Sequence, residues 1–215
     1  MDYILIDLDG TITNPKEGIT KSVQYALRHM NVFIDDLDSL TKHIGPPLRD
    51  GFMEFYGFNE EEAEKAVVKY REYYGEQGIH ENEVFDGMER LLTRLKQAGK
   101  YLIVTTSKPE ELAVQVLEHF HLEHYFDDIC GATFDARRAD KEAVIRYALE
   151  KNSVTDLESV VMVGDRKYDI LGAKAVGIAS IGVLYGFGSE EELIEAGADR
   201  IVATVDDVFD MIMDL

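Results

Sequence analysis

The chain predicts an α/β fold: a parallel sheet covered by helices on both faces, with a block of helices inserted into it. Three observations carry that prediction. From Val84 onward, short apolar runs rich in strand formers alternate with segments of helical period. Between Gly18 and Glu83 no convincing strand appears, only helical periodicity. Several of the apolar runs end in acidic or hydroxyl-bearing motifs, and the carboxyl ends of strands are where open α/β sheets bind ligands.

The elements follow in order. Residues 3–6 form a short apolar run and the first buried strand, with Asp7 and Asp9 at its carboxyl end. On continuing strand geometry the two carboxylates project to the same side, a costly arrangement without a compensating cation or a shared proton. Residues 11–18 have a loop composition, and Ile19, Val23, Ala26, Leu27 and Met30 then repeat at helical spacing. Residues 36–42 and 48–56 read as a second and a third helix, separated by Gly45-Pro46-Pro47. Asn59 and Glu62 have the spacing of a capping box for a fourth. Beyond Val84 the spacing predicts helices over 87–98, 109–120, 141–150, 168–176, 190–196 and 205–213. Strands are expected over 101–105, 128–131, 160–163, 178–183 and 200–203. The expected organisation is a core of residues 1–15 and 84–215 carrying a helical domain of residues 16–83.

Composition narrows the function. With 215 residues, 46% apolar and 30% charged, the chain can bury a substantial core. A formal charge of −20 argues against nucleic acid and anionic membranes as partners. An anionic substrate would therefore need local positive charge from a metal or from placed Lys and Arg side chains. Cys130 is the only cysteine, so no intrachain disulfide can form. No secretory signal pattern opens the chain and no apolar run is long enough for a membrane span, so a soluble, cytoplasmic protein is expected.

Four segments could carry chemistry. Asp7-Leu8-Asp9-Gly10-Thr11 can be read as a strand followed by a tight turn; a calcium loop is excluded because its twelfth position falls on Gly18. Gly164-Asp165 ends a second apolar run, with Asp169 four residues on; helix capping by Asp165 is the alternative reading. Three or four carboxylates at neighbouring strand ends make an oxygen-rich site of the kind Mg²⁺ uses together with substrate phosphate. Thr106-Ser107 follows a third strand; Ser107 and Glu110 have capping-box spacing, and a helix start there doubles as an anion site. Lys141 lies in the first turn of a helix, where it opposes the helix dipole.

Together these segments strongly resemble the haloacid dehalogenase (HAD) superfamily of phosphotransferases, in order and spacing over essentially the whole chain. Asp7-Leu8-Asp9-Gly10-Thr11 matches its Asp-x-Asp-Gly-Thr signature, Thr106-Ser107 its second motif, Lys141 its third, and Gly164-Asp165 with Asp169 its fourth. Ile181-Gly182-Val183 with Ala196-Gly197-Ala198-Asp199 is similar to the phosphoglycolate phosphatase branch. Many relatives place Pro after the third-motif Lys, whereas Lys141 is followed by Glu142; Arg137 and Arg138 are alternative phosphate-binding cations. The resemblance implies a three-layer Rossmann-like core with a small four-helix cap that closes over the site. It implies an Mg²⁺-dependent phosphatase for small phosphate monoesters, with a phosphorylated metabolite as partner and a monomer or homodimer as the assembly. Asp7 would attack phosphorus and Asp9 would transfer protons. The metal would lie on Asp7, the Asp9 carbonyl and Asp165, with Asp169 behind them. Thr106, Ser107 and Lys141 would hold the phosphoryl oxygens, and Arg49 is a possible contact from the cap. A 5′-nucleotidase and a sugar-phosphate mutase are the alternatives within the fold, and a non-catalytic binding module the alternative outside enzymes.

The remaining candidates read as structure. His119, His121 and His124 match no zinc spacing, Cys130 and the tyrosines Tyr70, Tyr73 and Tyr74 read as packing, and Gly186-Phe187-Gly188-Ser189 reads as a turn.

Overall fold

The computed structural model describes residues 1–135 and 137–215. In chain order, strand β1 (Tyr3–Ile6) is followed by the short β2 (Thr13–Asn14). Helices α1 (Lys16–His29), α2 (Leu48–Tyr56) and α3 (Glu60–Tyr73) come next, and the short β3 (Glu83–Val84) follows them. The chain then alternates α4 (Met88–Gln97), β4 (Tyr101–Pro109), α5 (Glu110–His119), β5 (Asp128–Ala132), α6 (Lys141–Lys151) and β6 (Val160–Gly164). It ends with α7 (Lys167–Val176), β7 (Ala179–Val183), α8 (Glu190–Ala196), β8 (Arg200–Val202) and α9 (Val205–Asp214). Two compact units result, Met1–Asn14 with Val84–Leu215, and Pro15–Glu83. No helix among the described residues is long and apolar enough to cross a membrane.

In the first unit, six parallel strands stand in the order β5-β4-β1-β6-β7-β8. The chain builds outward from β1 through β4 to β5, then returns past β1 to build β6, β7 and β8. The strand order therefore reverses between β1 and β6, the position where such sheets form a ligand crevice. Ile6 is in register with Val104 of β4 and Val163 of β6, so the residues following these three come out of the sheet side by side. Strands buried on both faces need unbroken apolar sequence, which Tyr3–Ile6 and Val160–Gly164 supply. On one face Leu5, Ile103, Cys130 and Met162 pack against Val144, Ile145, Ala148 and Ala173 of α6 and α7. Cys130 is thus core, and burial pushes its thiol up to about 12.

The second unit is helical as expected, with one difference. The segment expected as its second helix is a 3-10 turn, Asp38–His43, six residues long. The Asn59–Glu62 capping box is present in both directions, at 3.0 Å each way. Arg49, in the first turn of α2, is ion-paired with Glu60 at 2.9 Å.

His43 is buried in this unit. Its ring lies 5.1 Å from Phe52, 5.0 Å from Phe55 and 5.6 Å from Tyr56, with the Tyr56 hydroxyl 3.3 Å from its Nε2. Burial, helped by the charge of Lys42, holds its pKa down at about 3. An unfolded His titrates near ~6.5, so between these values the unfolded chain binds a proton that the folded chain refuses. The stability this represents is present above the unfolded value and lost as the pH falls towards the folded one. Lowering the pH from about 7 to 5 is expected to cost about 2 kcal/mol through this group. Urea unfolding of the wild type and of His43→Phe at both pH values checks it. Equal losses in the two proteins would show that His43 is not responsible.

Candidate active site

The carboxyl end of β1 delivers Asp7, which is 4% exposed. Its Oδ1 accepts the Leu8 N–H at 2.8 Å and lies 2.8 Å from Lys141 Nζ. The chain then folds tightly: the Leu8 carbonyl accepts from the N–H groups of Thr11, Ile12 and Thr13 at 3.3, 2.9 and 3.0 Å. Gly10 sits in this turn at φ 91°, and a Cβ there would lie 2.3 Å from Asp165 Oδ2. Only glycine satisfies both demands. The chain turns here rather than continuing as a strand, and each of the two aspartates acquires its own ammonium. Asp9 is ion-paired with Lys108, while its Oδ1 is buried without a partner among the described residues.

Strand β4 supplies the next wall. It runs on to Pro109 through an irregularity between Thr106 and Pro109. The expected Ser107–Glu110 capping box is therefore not formed, because α5 begins only at Glu110 and no side chain caps it. The Glu110 carboxylate instead accepts the Gly131 N–H at 3.1 Å and lies 3.2 Å from Arg138 Nη2. Thr106 is buried, with its Oγ1 accepting the Lys108 N–H at 3.2 Å. The extension of the strand is what brings Lys108 to Asp9.

Helix α6 supplies the central cation. Asp140 caps it, accepting the Ala143 N–H at 2.8 Å, which fixes Lys141 as the first helical residue. Lys141 is 4% exposed, and its ammonium reaches Asp7 Oδ1 and Asp169 Oδ1, each at 2.8 Å, and donates to the Thr105 carbonyl at 2.9 Å. Burial opposes the charge, but Asp169 and Asp7 outweigh it and hold the group above the ordinary lysine range. Of the three cations considered for this position, Lys141 is the one in the centre. Arg137 pairs with Asp135, and Arg138 stacks 3.6 Å from the Tyr147 ring and donates to the Gly131 carbonyl.

The end of β6 completes the set. Asp165 is fully buried and Asp169 is 1% exposed. Asp165 Oδ2 accepts the Phe187 N–H at 2.7 Å, and its Oδ1 has no partner among the described residues. Burial, reinforced by Asp169 and Asp7, pushes its carboxyl well above the usual range. Asp169 Oδ2 accepts the Arg166 N–H at 3.1 Å; burial raises this carboxyl to about 6, against the pull of Lys141. Ligand atoms of Asp7, Asp165 and Asp169 all lie within 4.8 Å of one another. Three carboxylates facing one ammonium leave an excess of negative charge. A hard divalent cation fits such an oxygen-only set.

Two side chains at this site escaped the sequence reading. Lys108 carries no spacing signal, and its contact with Asp9 exists only because β4 continues past Thr106. Tyr185 follows β7 in a glycine-rich turn. Its hydroxyl is buried without a partner among the described residues, and burial together with the Asp165 charge pushes its pKa upward.

Residues 4–183 match the family model of haloacid dehalogenase-like hydrolases. A 5′-nucleotidase from Pseudomonas aeruginosa is 47% identical over 88% of this chain and 86% of its own. The tyrosine-protein kinase PtkA of Mycobacterium tuberculosis is 38% identical over 95% of this chain and 70% of its own. A phosphoglycolate phosphatase from Agrobacterium fabrum is 29% identical over 92% and 86%. The crystal structure of a predicted phosphatase from Clostridium acetobutylicum superposes with a TM-score of 0.97 at 49% identity, covering 100% of this chain and 99% of the other.

Proposed function

The chain belongs to the haloacid dehalogenase-like hydrolases, and from that membership we propose that it is a divalent-cation-dependent phosphatase acting on small phosphate monoesters through an aspartyl-phosphate. The observation that carries this reading is the gathering of Asp7, Asp165 and Asp169, with ligand atoms within 4.8 Å of one another, around the buried Lys141 ammonium.

Asp7 is the nucleophile. Its Oδ1 is engaged by Leu8 and Lys141, so Oδ2 is the oxygen left to attack phosphorus. The Oδ2–P bond forms as the bond from phosphorus to the leaving oxygen breaks, and Asp9, entering this step as the carboxylic acid, gives that oxygen its proton and is left as the carboxylate. Asp9 then takes a proton from the water that attacks phosphorus, and the Oδ2–P bond breaks. Lys141 and Thr106 would hold phosphoryl oxygens, with Ser107 beside them. Asp169 keeps the Lys141 ammonium in position. Asp165, Asp7 and the Asp9 carbonyl would hold Mg²⁺, which when bound offsets the repulsion between an anionic nucleophile and an anionic phosphate.

The relatives support two substrate classes, nucleoside 5′-monophosphates and phosphoglycolate, and the greater identity to the 5′-nucleotidase favours the first. A panel containing both, with sugar phosphates and an aryl phosphate, tests the assignment. Isomeric sugar phosphate without free phosphate would make the protein a mutase instead. Transfer from ATP to a tyrosine peptide faster than phosphate release would make it a kinase.

Asp9→Asn separates the two halves of the reaction. An aryl phosphate needs no proton on its leaving group, so Asp7 still becomes phosphorylated, but the water is no longer activated. Turnover is expected to fall by about 10²–10⁴-fold while the phosphorylated protein accumulates in intact-mass spectra. Release of phosphate at the wild-type rate would remove Asp9 from its role.

A further inference from the structure

The turn after β7 does more than reverse the chain. Phe187 donates its N–H to Asp165 Oδ2 at 2.7 Å. A Cβ on Gly186 would lie 2.4 Å from both Asp165 Cβ and the Gly10 carbonyl oxygen, and one on Gly188 only 1.9 Å from the Asp165 carbonyl oxygen. The segment 185–188 is therefore seated directly on Asp165, backbone against backbone. Tyr185 begins it. Its ring lies edge-on to Phe85 at 5.0 Å, and the Phe85 N–H is tied to the Ile12 carbonyl at 3.2 Å, so the ring is anchored on the β1 side of the same crevice.

A buried tyrosine hydroxyl normally finds a hydrogen-bond partner, and leaving that bond unmade is costly. The Tyr185 hydroxyl has none among the described residues, and Asp165, whose charge acts on this phenol, has its own Oδ1 equally unpartnered. The two orphaned oxygens, one a donor and one an acceptor, belong to the first residue of this turn and to the aspartate on which the turn is seated. Nothing in the packing of Phe85 and Tyr185 requires the hydroxyl, since phenylalanine would fill the same space.

We propose that Tyr185 is a positioning residue for the cation site: its hydroxyl donates a hydrogen bond to a water in the coordination shell of a divalent cation held by Asp165. The proposal rests on the cation-dependent reading given above and adds to it a residue outside the carboxylate set. The bond would orient the shell water and lower its freedom, as partners behind the ligands do at metal sites in general.

Thermal unfolding of the wild type, Tyr185→Phe and Asp165→Asn, each titrated with MgCl₂, tests it without reference to turnover. In the absence of Mg²⁺ the Tyr185→Phe protein is expected to melt at or above the wild-type temperature, because only an unsatisfied hydroxyl has been removed. Its half-saturating Mg²⁺ concentration is expected to rise about tenfold or more. A purely structural tyrosine would show the opposite pattern, a lower melting temperature without Mg²⁺ and an unchanged titration midpoint, and that result would overturn the proposal. If the wild type shows no Mg²⁺-dependent shift, or Asp165→Asn shifts as the wild type does, the cation reading itself fails and the proposal falls with it.

Discussion

Replacing Asp7 with Asn is expected to reduce turnover by about 10⁴-fold or more, with no loss of stability. The size follows from the number of tasks the side chain has. An amide oxygen is a poor nucleophile, and without the covalent intermediate one difficult displacement is no longer divided into two easier ones. A factor of 10⁴ corresponds to roughly 5.5 kcal/mol of barrier. The stability half of the expectation comes from the electrostatics. Asp7, Asp165 and Asp169 crowd around Lys141, and both Asp165 and Asp169 are pushed upward partly by the Asp7 charge. Removing that charge relieves repulsion, while Lys141 keeps Asp169 at 2.8 Å. Steady-state rates with an aryl phosphate and melting curves without Mg²⁺ check both halves. Turnover within tenfold of the wild type would exclude Asp7 as the nucleophile.

Lys141→Met should do the reverse, removing activity and stability together. Met fills much of the space of the lysine stem, which packs closely against Gly172: a Cβ there would lie 3.0 Å from Lys141 Cγ. What is lost is the ammonium between Asp7 and Asp169. Breaking a buried ion pair from one side leaves an uncompensated charge, at a cost of about 3–5 kcal/mol. For a chain of this length that lowers the melting temperature by roughly 6–20 °C. The centre also becomes more negative, so Mg²⁺ should stabilise the variant more than it stabilises the wild type. Turnover should fall by about 10²–10³-fold, the effect of deleting one charge that faces the transferring group. A Mg²⁺-free melting temperature within a degree or two of the wild type would mean that Lys141 is not the central counter-charge.

The parts of this site that could be read from the sequence share one property. Asp7, Asp165 and Lys141 are each placed by an element boundary, the end of an apolar strand or the start of a capped helix, and such boundaries leave a local signature. The parallel sheet and the helical insertion were legible for the same reason. What was not legible depends on neighbours distant in sequence. Ser107 and Glu110 have the spacing of a helix start, but spacing alone cannot tell that β4 will continue beside β5 as far as Pro109 and Ala132. That continuation, invisible locally, is what pairs Lys108 with Asp9. Asp7 and Asp9 likewise fit a continuing strand, yet the three N–H groups gathered by the Leu8 carbonyl turn the chain instead. Tyr185 directly precedes the segment Gly186-Phe187-Gly188-Ser189, which reads as a turn. Only the approach of Gly186 and Gly188 to Asp165 shows what the turn is wrapped around.

The strand order has a bearing on how the protein is made. β1 sits in the middle of the sheet, with Tyr3 in register with Tyr101 on one side and with Val160 on the other. During synthesis, the apolar run Tyr3–Ile6 emerges long before either partner exists. The contacts that could form meanwhile are the local ones of Pro15–Glu83. Forming the central strand thus closes two of the longest loops in the chain, and such non-local closure slows folding. Until Val160–Gly164 has left the ribosome, the nascent chain carries an uncovered hydrophobic strand. That interval is when it is most exposed to aggregation and most in need of a chaperone.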